Sequence, residues 1–439
     1  MLRQVFLTRI AAGLFALSLV FVGCSDLPTA ETSAGLDGES YSKFHHAHLL
    51  DRTTTGVAGK GQPTQNDVNL IVGFSSPTVD AMRIVTRWRI VSRWRVITRW
   101  TYRTSFNGIS ISLPRADLPA FLADAEINPD VSWVQPDLTL RLPFQATGKI
   151  VDSAQTTPWG IPAVGADRSS VASGDGVESS ADLPNIFLLD TGAANQDLNV
   201  VACIEVLGGS ISGCRNNMDR NGHGTEVIGF AAARDNDHGI VGVAPGAPVY
   251  VVKVLNEQGE GEESDVIAVI DHLTQYKLDH PGFPMLVNMS LGADAGTADY
   301  IALDLAVEQA ISAGITFVVA AGNDSRDAST YTPAHVAGAI TVGAYSKAGH
   351  LSQFSNWGPT VDLLAPGENV EALSTSDYKV VASGSSHATA WVTGAAALFL
   401  AKNPHATPAE VRAALVAAAS PSIAVRAGTT NLGVNVSEF

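Results

Sequence analysis

Three short polar segments interrupt the apolar stretches of this chain, and together they hold the groups that a hydroxyl nucleophile needs. Ile186-Phe187-Leu188-Leu189 reads as a buried strand that delivers Asp190-Thr191-Gly192 at its end. Asn221-Gly222-His223-Gly224-Thr225 reads as the opening of a helix, and Ser383-Gly384-Ser385-Ser386-His387-Ala388 opens a long helix of small residues. A serine hydroxyl is a weak nucleophile. It needs an imidazole within hydrogen-bond reach, and the imidazole needs a carboxylate on its other nitrogen. Asp190, His223 and a serine of the 383–386 run can supply this arrangement, and a helix N-terminus under the serine adds backbone N–H groups for an oxyanion. Taken singly, each residue has a plain structural reading: Asp190 as a turn cap, His223 as a satisfied core histidine, Ser386 as an N-cap. The order Asp, His, Ser and the lack of a G-x-S-x-G elbow argue against an α/β-hydrolase.

The elements that must position these groups follow from the apolar pattern. Residues 249–255, 285–291, 315–320 and 339–342 read as buried strands, and 265–276, 297–313, 386–400 and 408–419 as helices. Strands alternating with helices predict an α/β fold with a mainly parallel sheet flanked by helices. Upstream lies the pattern of a small α+β domain, with strands at 66–74, 108–114 and 131–134 and a helix at 116–125. Inside it stand three hexapeptides, RIVTRW (83–88), RIVSRW (89–94) and RVITRW (95–100). On a helix, a six-residue period would turn Trp88, Trp94 and Trp100 about 120° apart, whereas on strands all three share one face. Extended structure is therefore expected across the repeat.

Net charge sharpens the division. The 439 residues carry 27 basic and 43 acidic side chains, a balance that excludes a general nucleic-acid binder. Residues 1–154 are near neutral, with 15 basic and 13 acidic residues, while 155–439 hold 12 and 30. Apolar residues at 46% exclude a mainly disordered chain. Arg3 and Arg9 followed by the apolar run 10–22 read as a secretory leader, too short to span a bilayer. Phe21-Val22-Gly23-Cys24 resembles a bacterial lipobox, which would make Cys24 a lipidated N-terminus; an ordinary leader with an incidental cysteine is the alternative. That leaves Cys203 and Cys214, either a disulfide in an oxidising compartment or two buried thiols.

Longer segments carry a family resemblance. TTPWG (156–160), GIVGVAPGAPVYVVKVL (239–255), NMSLG (288–292), VVAAGND (318–324), ITVGA (340–344) and FSNWGPTVDLLAPG (354–367) stand in the order seen in subtilisin-like serine proteases, the subtilases. The chain resembles that family over about 156–419, and its proteinase K branch most. INPDVSWVQPDLTL, at the end of the small domain, is similar to the closing strand of the propeptide inhibitors that precede such proteases. The resemblance implies a serine endopeptidase in which Asp190 orients the imidazole, His223 is general base and acid, and Ser386 attacks the scissile carbonyl. Asn323 and the Ser386 N–H would bind the oxyanion. It also implies this division: leader 1–23, tether 24–65, propeptide-inhibitor domain 66–143, processing linker 144–154, peptidase domain 155–425 and tail 426–439.

Where the family reads G-T-S-M-A-x-P at the nucleophile, this chain reads Gly384-Ser385-Ser386-His387-Ala388-Thr389-Ala390. Ser385 is a rival nucleophile by residue type, although counting from Gly384 selects Ser386. The second histidine of H-G-T-H is Glu226. The resemblance further implies a polypeptide substrate lying as an extra strand between Ser290-Leu291-Gly292 and Gly259-Glu260-Gly261. Glu260, Glu262 and Glu263 would make that second edge acidic, attractive to basic substrate residues and to the arginine-rich repeat; the plain reading is a solvated acidic loop. No cofactor is implied for the chemistry. A family calcium site would fall on the carbonyls of Ala337 and Ala339 and on the Asp362 side chain. The expected partners are polypeptide substrates, the chain's own propeptide as inhibitor and a membrane reached through lipid on Cys24, and the expected location is outside a bacterial cell. The competing reading is a catalytically degenerate surface protein that binds a partner.

Overall fold

The computed structural model describes residues 66–142 apart from 91 and 93, then 149–150 and 154–439 apart from 180, 215–218, 297–301 and 377. The leader, Cys24 and the tether lie outside the described residues. Where the sequence has unbroken apolar runs, strands form that are buried on both faces, as a parallel sheet requires. Eight run parallel, in the spatial order Leu432–Gly433, Leu363–Pro366, Ile340–Tyr345, Thr316–Ala320, Met285–Met289, Asn185–Asp190, Val249–Lys253, Val200–Leu207. Short strands at the edges bring the sheet to ten. Helices His223–Ala232 and Ser385–Lys402 share an apolar core with one face of the sheet. Helices Glu263–Asp279 and Ala302–Ser312 share a second core with the other. This is the expected α/β architecture. Its strand order reverses between Asn185–Asp190 and Met285–Met289, and open α/β sheets bind ligands at such a switch point, beyond the carboxyl ends of the strands. Asp190 and Ser290 stand there.

Residues 426–439 are a correction to the expected tail. Leu432–Gly433 joins the sheet beside Leu364 and Ser420–Pro421. Val434 and Val436 are buried, and the Phe439 carbonyl accepts from Ser170 N–H at 2.6 Å. The alternating valines are one face of an inward-turned segment, so the domain runs to the last residue. At the opposite edge a disulfide joins Cys203 and Cys214, whose Cα atoms are 5.4 Å apart across the antiparallel pair Val200–Leu207 and Ser210–Gly213.

The small domain is a four-stranded antiparallel sheet in the order Ile97–Tyr102, Gly108–Pro114, Asp67–Phe74, Val131–Pro136. Helices Ala81–Ile90 and Leu118–Ile127 cover one face of it. The hexapeptide repeat departs from the extended structure expected of it. Its first copy is helical, and the third forms the strand Ile97–Tyr102. A common stripe matters only if one element holds several copies, and the ten-residue helix holds a single tryptophan. Within a copy the spacing suits a helix, because Ala81, Ile84, Val85 and Trp88 fall at i, i+3, i+4 and i+7 and are the residues buried. Each tryptophan then has its own setting. Trp88 packs edge-on to Phe121 at 4.9 Å and donates to Asp124, Trp94 flanks the same ring at 5.7 Å, and Trp100 donates to Asp265 Oδ1 across the domain boundary at 2.7 Å.

The uncovered face of the small sheet docks on the helices Glu263–Asp279 and Ala302–Ser312, with Ile71, Trp100 and Tyr102 inside their core. It also meets the orphan N–H groups at both helix starts. Asp137 Oδ1 accepts from Ser264 N–H at 2.9 Å, and Gln135 Oε1 accepts from Ala302 N–H at 3.1 Å. Lys149–Ile150, from the expected processing linker, pairs with Lys379–Ala382 and so already belongs to the large domain's surface.

Candidate active site

Asp190 ends its strand fully buried, and its Oδ1 lies 2.8 Å from His223 Nδ1. Their approach depends on Gly224. A Cβ at that position would stand 2.0 Å from the Gly192 carbonyl, so any larger residue would push the helix bearing His223 off the Asp190 loop. Asp219 builds the same helix start, accepting from Gly222 N–H at 2.8 Å, Thr225 N–H at 2.9 Å and the Thr225 hydroxyl at 2.6 Å. An anion there also complements the helix dipole. Sequence reading overlooked Asp219; the signal was an Asp three residues before a Gly-started helix. Burial works against a charged His223, but Asp190, then Glu226 and Asp219, outweigh it and hold the imidazole above its ordinary value. Among the described residues, no group hydrogen-bonds to its buried Nε2.

The two adjacent serines are told apart by their bonds. Ser385 Oγ accepts from Gly322 N–H at 3.1 Å, and its N–H donates to Asn323 Oδ1 at 2.8 Å. Ser386 Oγ makes only a long bond, 3.3 Å, to the Ser290 carbonyl. The loop beneath is pinned by Asn288 Nδ2 donating to Ser290 Oγ at 3.0 Å and by Ser290 Oγ donating to the Ser386 carbonyl at 3.1 Å. With its carbonyl oxygen spent on Ser385, the Asn323 amide presents a buried Nδ2 that has no partner among the described residues. A buried amide donor normally finds an acceptor, and a donor fixed in this way can bind an oxyanion.

Both expected substrate edges are filled by this chain's own Thr139–Leu142. Thr139–Arg141 pairs antiparallel with Glu260–Glu262, and Leu142 N–H donates to the Gly259 carbonyl at 3.0 Å. On the other side Arg141 N–H donates to the Gly292 carbonyl at 3.1 Å, and Gly292 N–H returns a bond of 3.4 Å. Beyond the strand opens a cavity of about 580 Å³ lined by Leu291, Gly292, Ala320, Asp324 and Tyr331.

Two sequence expectations need correction. Of the three acidic residues only Glu260 faces the strand in the cleft, 3.1 Å from Arg141. Glu262 turns under the small domain to pair with Arg99, and Glu263 is fully buried against Gln135 and Leu138. They start a helix that the small sheet covers, which a linear reading of the acidic run could not reveal. Second, Asp362 does not fit a calcium ion with Ala337 and Ala339. One of its oxygens accepts from Thr341 N–H at 3.0 Å and the other pairs with Arg412, so both are already engaged, one of them by a fixed positive charge.

The sequence model of the subtilase family (peptidase S8) matches residues 209–438, a span that includes His223, Asn323 and Ser386 and begins after Asp190. Over 338 residues the chain is 36% identical to the extracellular serine proteinase of Thermus sp. (strain Rt41A), covering 74% of each protein. It is 38% identical over 266 residues to subtilisin DY of Bacillus licheniformis, covering 59% of this chain and 90% of that one. Among solved structures, a cold adapted subtilisin-like serine proteinase aligns with a TM-score of 0.50 at 32% identity, covering 58% of this chain and 91% of its own.

Proposed function

Because the chain belongs to the subtilase family and is a serine-type endopeptidase, we propose that it is exported as a self-inhibited proenzyme whose Ser386 cleaves polypeptides with His223 and Asp190. Subtilases need no cofactor for this chemistry. In the proposed reaction a polypeptide replaces Thr139–Leu142 between the two edges. His223 Nε2 takes the Ser386 proton as Oγ attacks the carbonyl, Asp190 stabilises the imidazolium, and Asn323 Nδ2 with the Ser386 N–H binds the oxyanion. The imidazolium then protonates the leaving amine, and water repeats the sequence to free the acyl enzyme. The observation that carries this reading is that His223 Nε2 and Asn323 Nδ2 are buried and unspent while Ser386 Oγ is only weakly bonded.

The test is a fluorophosphonate probe. It should label Ser386, and Asn323→Ala should lower kcat about 100- to 1000-fold with little change in KM, because the lost bond forms only in the transition state. No labelling would return the chain to the binding-protein reading, and an adduct mapped elsewhere would move the nucleophile from Ser386.

The proposal extends to the small domain as intramolecular inhibitor, to the proteinase K branch as the nearer kin and to a lipid anchor on Cys24. Similarity to an extracellular proteinase supports export, and the leader pattern supports the anchor. Cys24→Ser should move the protein from the membrane fraction to the medium at unchanged specific activity. A wild type that is already soluble would remove the anchor.

A further inference from the structure

The two residues that break the family pattern beside the base and the nucleophile meet in space. Glu226 lies three residues after His223, on the same face of its helix. His387 follows Ser386 on the helix Ser385–Lys402. Although 161 residues apart, His387 Nε2 and Glu226 Oε2 stand 3.2 Å from each other, with His387 fully buried and Glu226 8% exposed. The His387 ring is edge-on to His223 at 5.6 Å and to Phe230 at 5.7 Å. Its Nδ1 is buried without a hydrogen-bond partner among the described residues. That atom and Asn323 Nδ2 each lie 3.2 Å from where a Cβ on Gly384 would stand. One imidazole thus touches the ring of the base, a carboxylate on the base's helix and the turn that leads into Ser386. A buried polar pair of this kind contributes little net stability compared with apolar side chains of the same shape, so packing alone does not account for it.

We propose that Glu226 and His387 form a second histidine–carboxylate rung that holds the helix of His223 in register with the helix of Ser386 and sets a negative charge beside the His223 imidazole. The inference rests on reading His223 and Ser386 as base and nucleophile. Both rung residues act through that pair and are positioning residues. The charged and titratable groups facing His223 are Asp190 from its strand, Asp219 from the preceding loop, Glu226 on its own helix and His387 from the nucleophile's helix; Lys253 faces Asp190 and Asp219 and donates to the Thr191 carbonyl. Those facing His387 are Glu226, His223 and Asp190. Burial outweighs Glu226 and pushes His387 below its ordinary value. Glu226 is in turn one of the charges that raise the His223 imidazole.

Removing that charge should lower the proton affinity of His223 and free the base at lower pH. Glu226→Gln, which keeps a hydrogen-bond acceptor, should move the acid limb of kcat/KM down by about half to one pH unit while the plateau falls less than about tenfold. His387→Met should cut plateau kcat by about ten- to a hundredfold, and His387→Gln should recover most of it. Glu226→His/His387→Met, which restores the family's pairing, should lose less than the product of the Glu226→His and His387→Met losses. Rates are expressed per fluorophosphonate-titratable Ser386. If the wild type is not labelled there, the triad reading fails; if it is labelled and the acid limb of Glu226→Gln stays in place, only the rung fails. Should Glu226→Gln not fold, the double variant decides: strict multiplicativity of the two losses overturns the proposal.

Discussion

Ser386→Ala is expected to yield an exported chain that is never cut, with residues 66–142 still joined to 154–439, and with no measurable peptide hydrolysis. The physical reason is that one hydroxyl serves both reactions. Thr139–Leu142 already lies as a strand between Glu260–Glu262 and Gly292, the two edges expected to hold substrate, so a cut beyond Leu142 is the one that self-processing by Ser386 would make. In subtilisin, a protease of the same family, removing the nucleophile alone costs about 10⁶-fold in turnover. Ser385→Ala is the matched control. It deletes the acceptor for the buried Gly322 N–H, a loss of about 1–3 kcal/mol, and should still be processed and labelled. Expression in a host lacking other proteases, followed by sequencing of the new N-terminus, reads the result: wild type should begin between residues 143 and 154. A normally processed Ser386→Ala chain would sink self-cleavage, and a dead Ser385→Ala chain would shift the nucleophile by one residue.

What could be read from sequence was whatever local chemistry dictates. The end of an apolar strand run pointed to Asp190 and glycine-started helices to His223 and the 383–386 serines, because each lies in one short segment whose neighbours fix its backbone; Asn323 and the choice of Ser386 over Ser385 came from the family resemblance. What could not be read depends on pieces brought together by the fold. The hexapeptide repeat is the clearest case, since nearly the same six residues form a helix at Ala81–Ile90 and a strand at Ile97–Tyr102. Intrinsic preference is weak beside the tertiary surroundings that bury Trp88 under Phe121 and Trp100 against Asp265. The acidic run 260–263 was expected to act on basic substrate residues and on the arginine-rich repeat, and the fold divides it: Glu260 faces the cleft, Glu262 pairs with Arg99 of the repeat, and Glu263 is buried under the small sheet. Glu226 and His387 were visible as two separate departures, and only the packing of two helices makes them a pair.

Arg99→Ala is expected to release the small domain. Arg99 is buried at the domain boundary, 3.4 Å from Asp137 and 3.7 Å from Asp265, and it also pairs with Glu262. Removing the cation leaves these carboxylates buried together, a cost of about 3–5 kcal/mol, or roughly 150- to 5000-fold in docking. The same cluster makes docking depend on pH. Burial and the charge of Glu262 push Asp137 up to about 7 and Asp265 up to about 6, and burial and Asp137 push Glu263 in the same direction. Once the domains part, these groups face water and return to ordinary carboxylate values near 4. From about pH 4 to 7 the docked form therefore binds more protons than the separated one. Docking is strongest at the acid end of that window and weakens by up to about tenfold per pH unit for each proton, as Asp265 and then Asp137 lose theirs. The processed but uncleared complex should hold together on gel filtration at pH 5 and dissociate, with activity appearing, at pH 8. Arg99→Ala should dissociate even at pH 5.5 and with a steeper pH dependence, because nothing then opposes the repulsion among the acids. Equal retention of the small domain at pH 5 and 8, or an Arg99→Ala complex as tight as wild type, would mean that the apolar contacts of Ile71, Trp100 and Tyr102 hold the inhibitor and the buried charges do not.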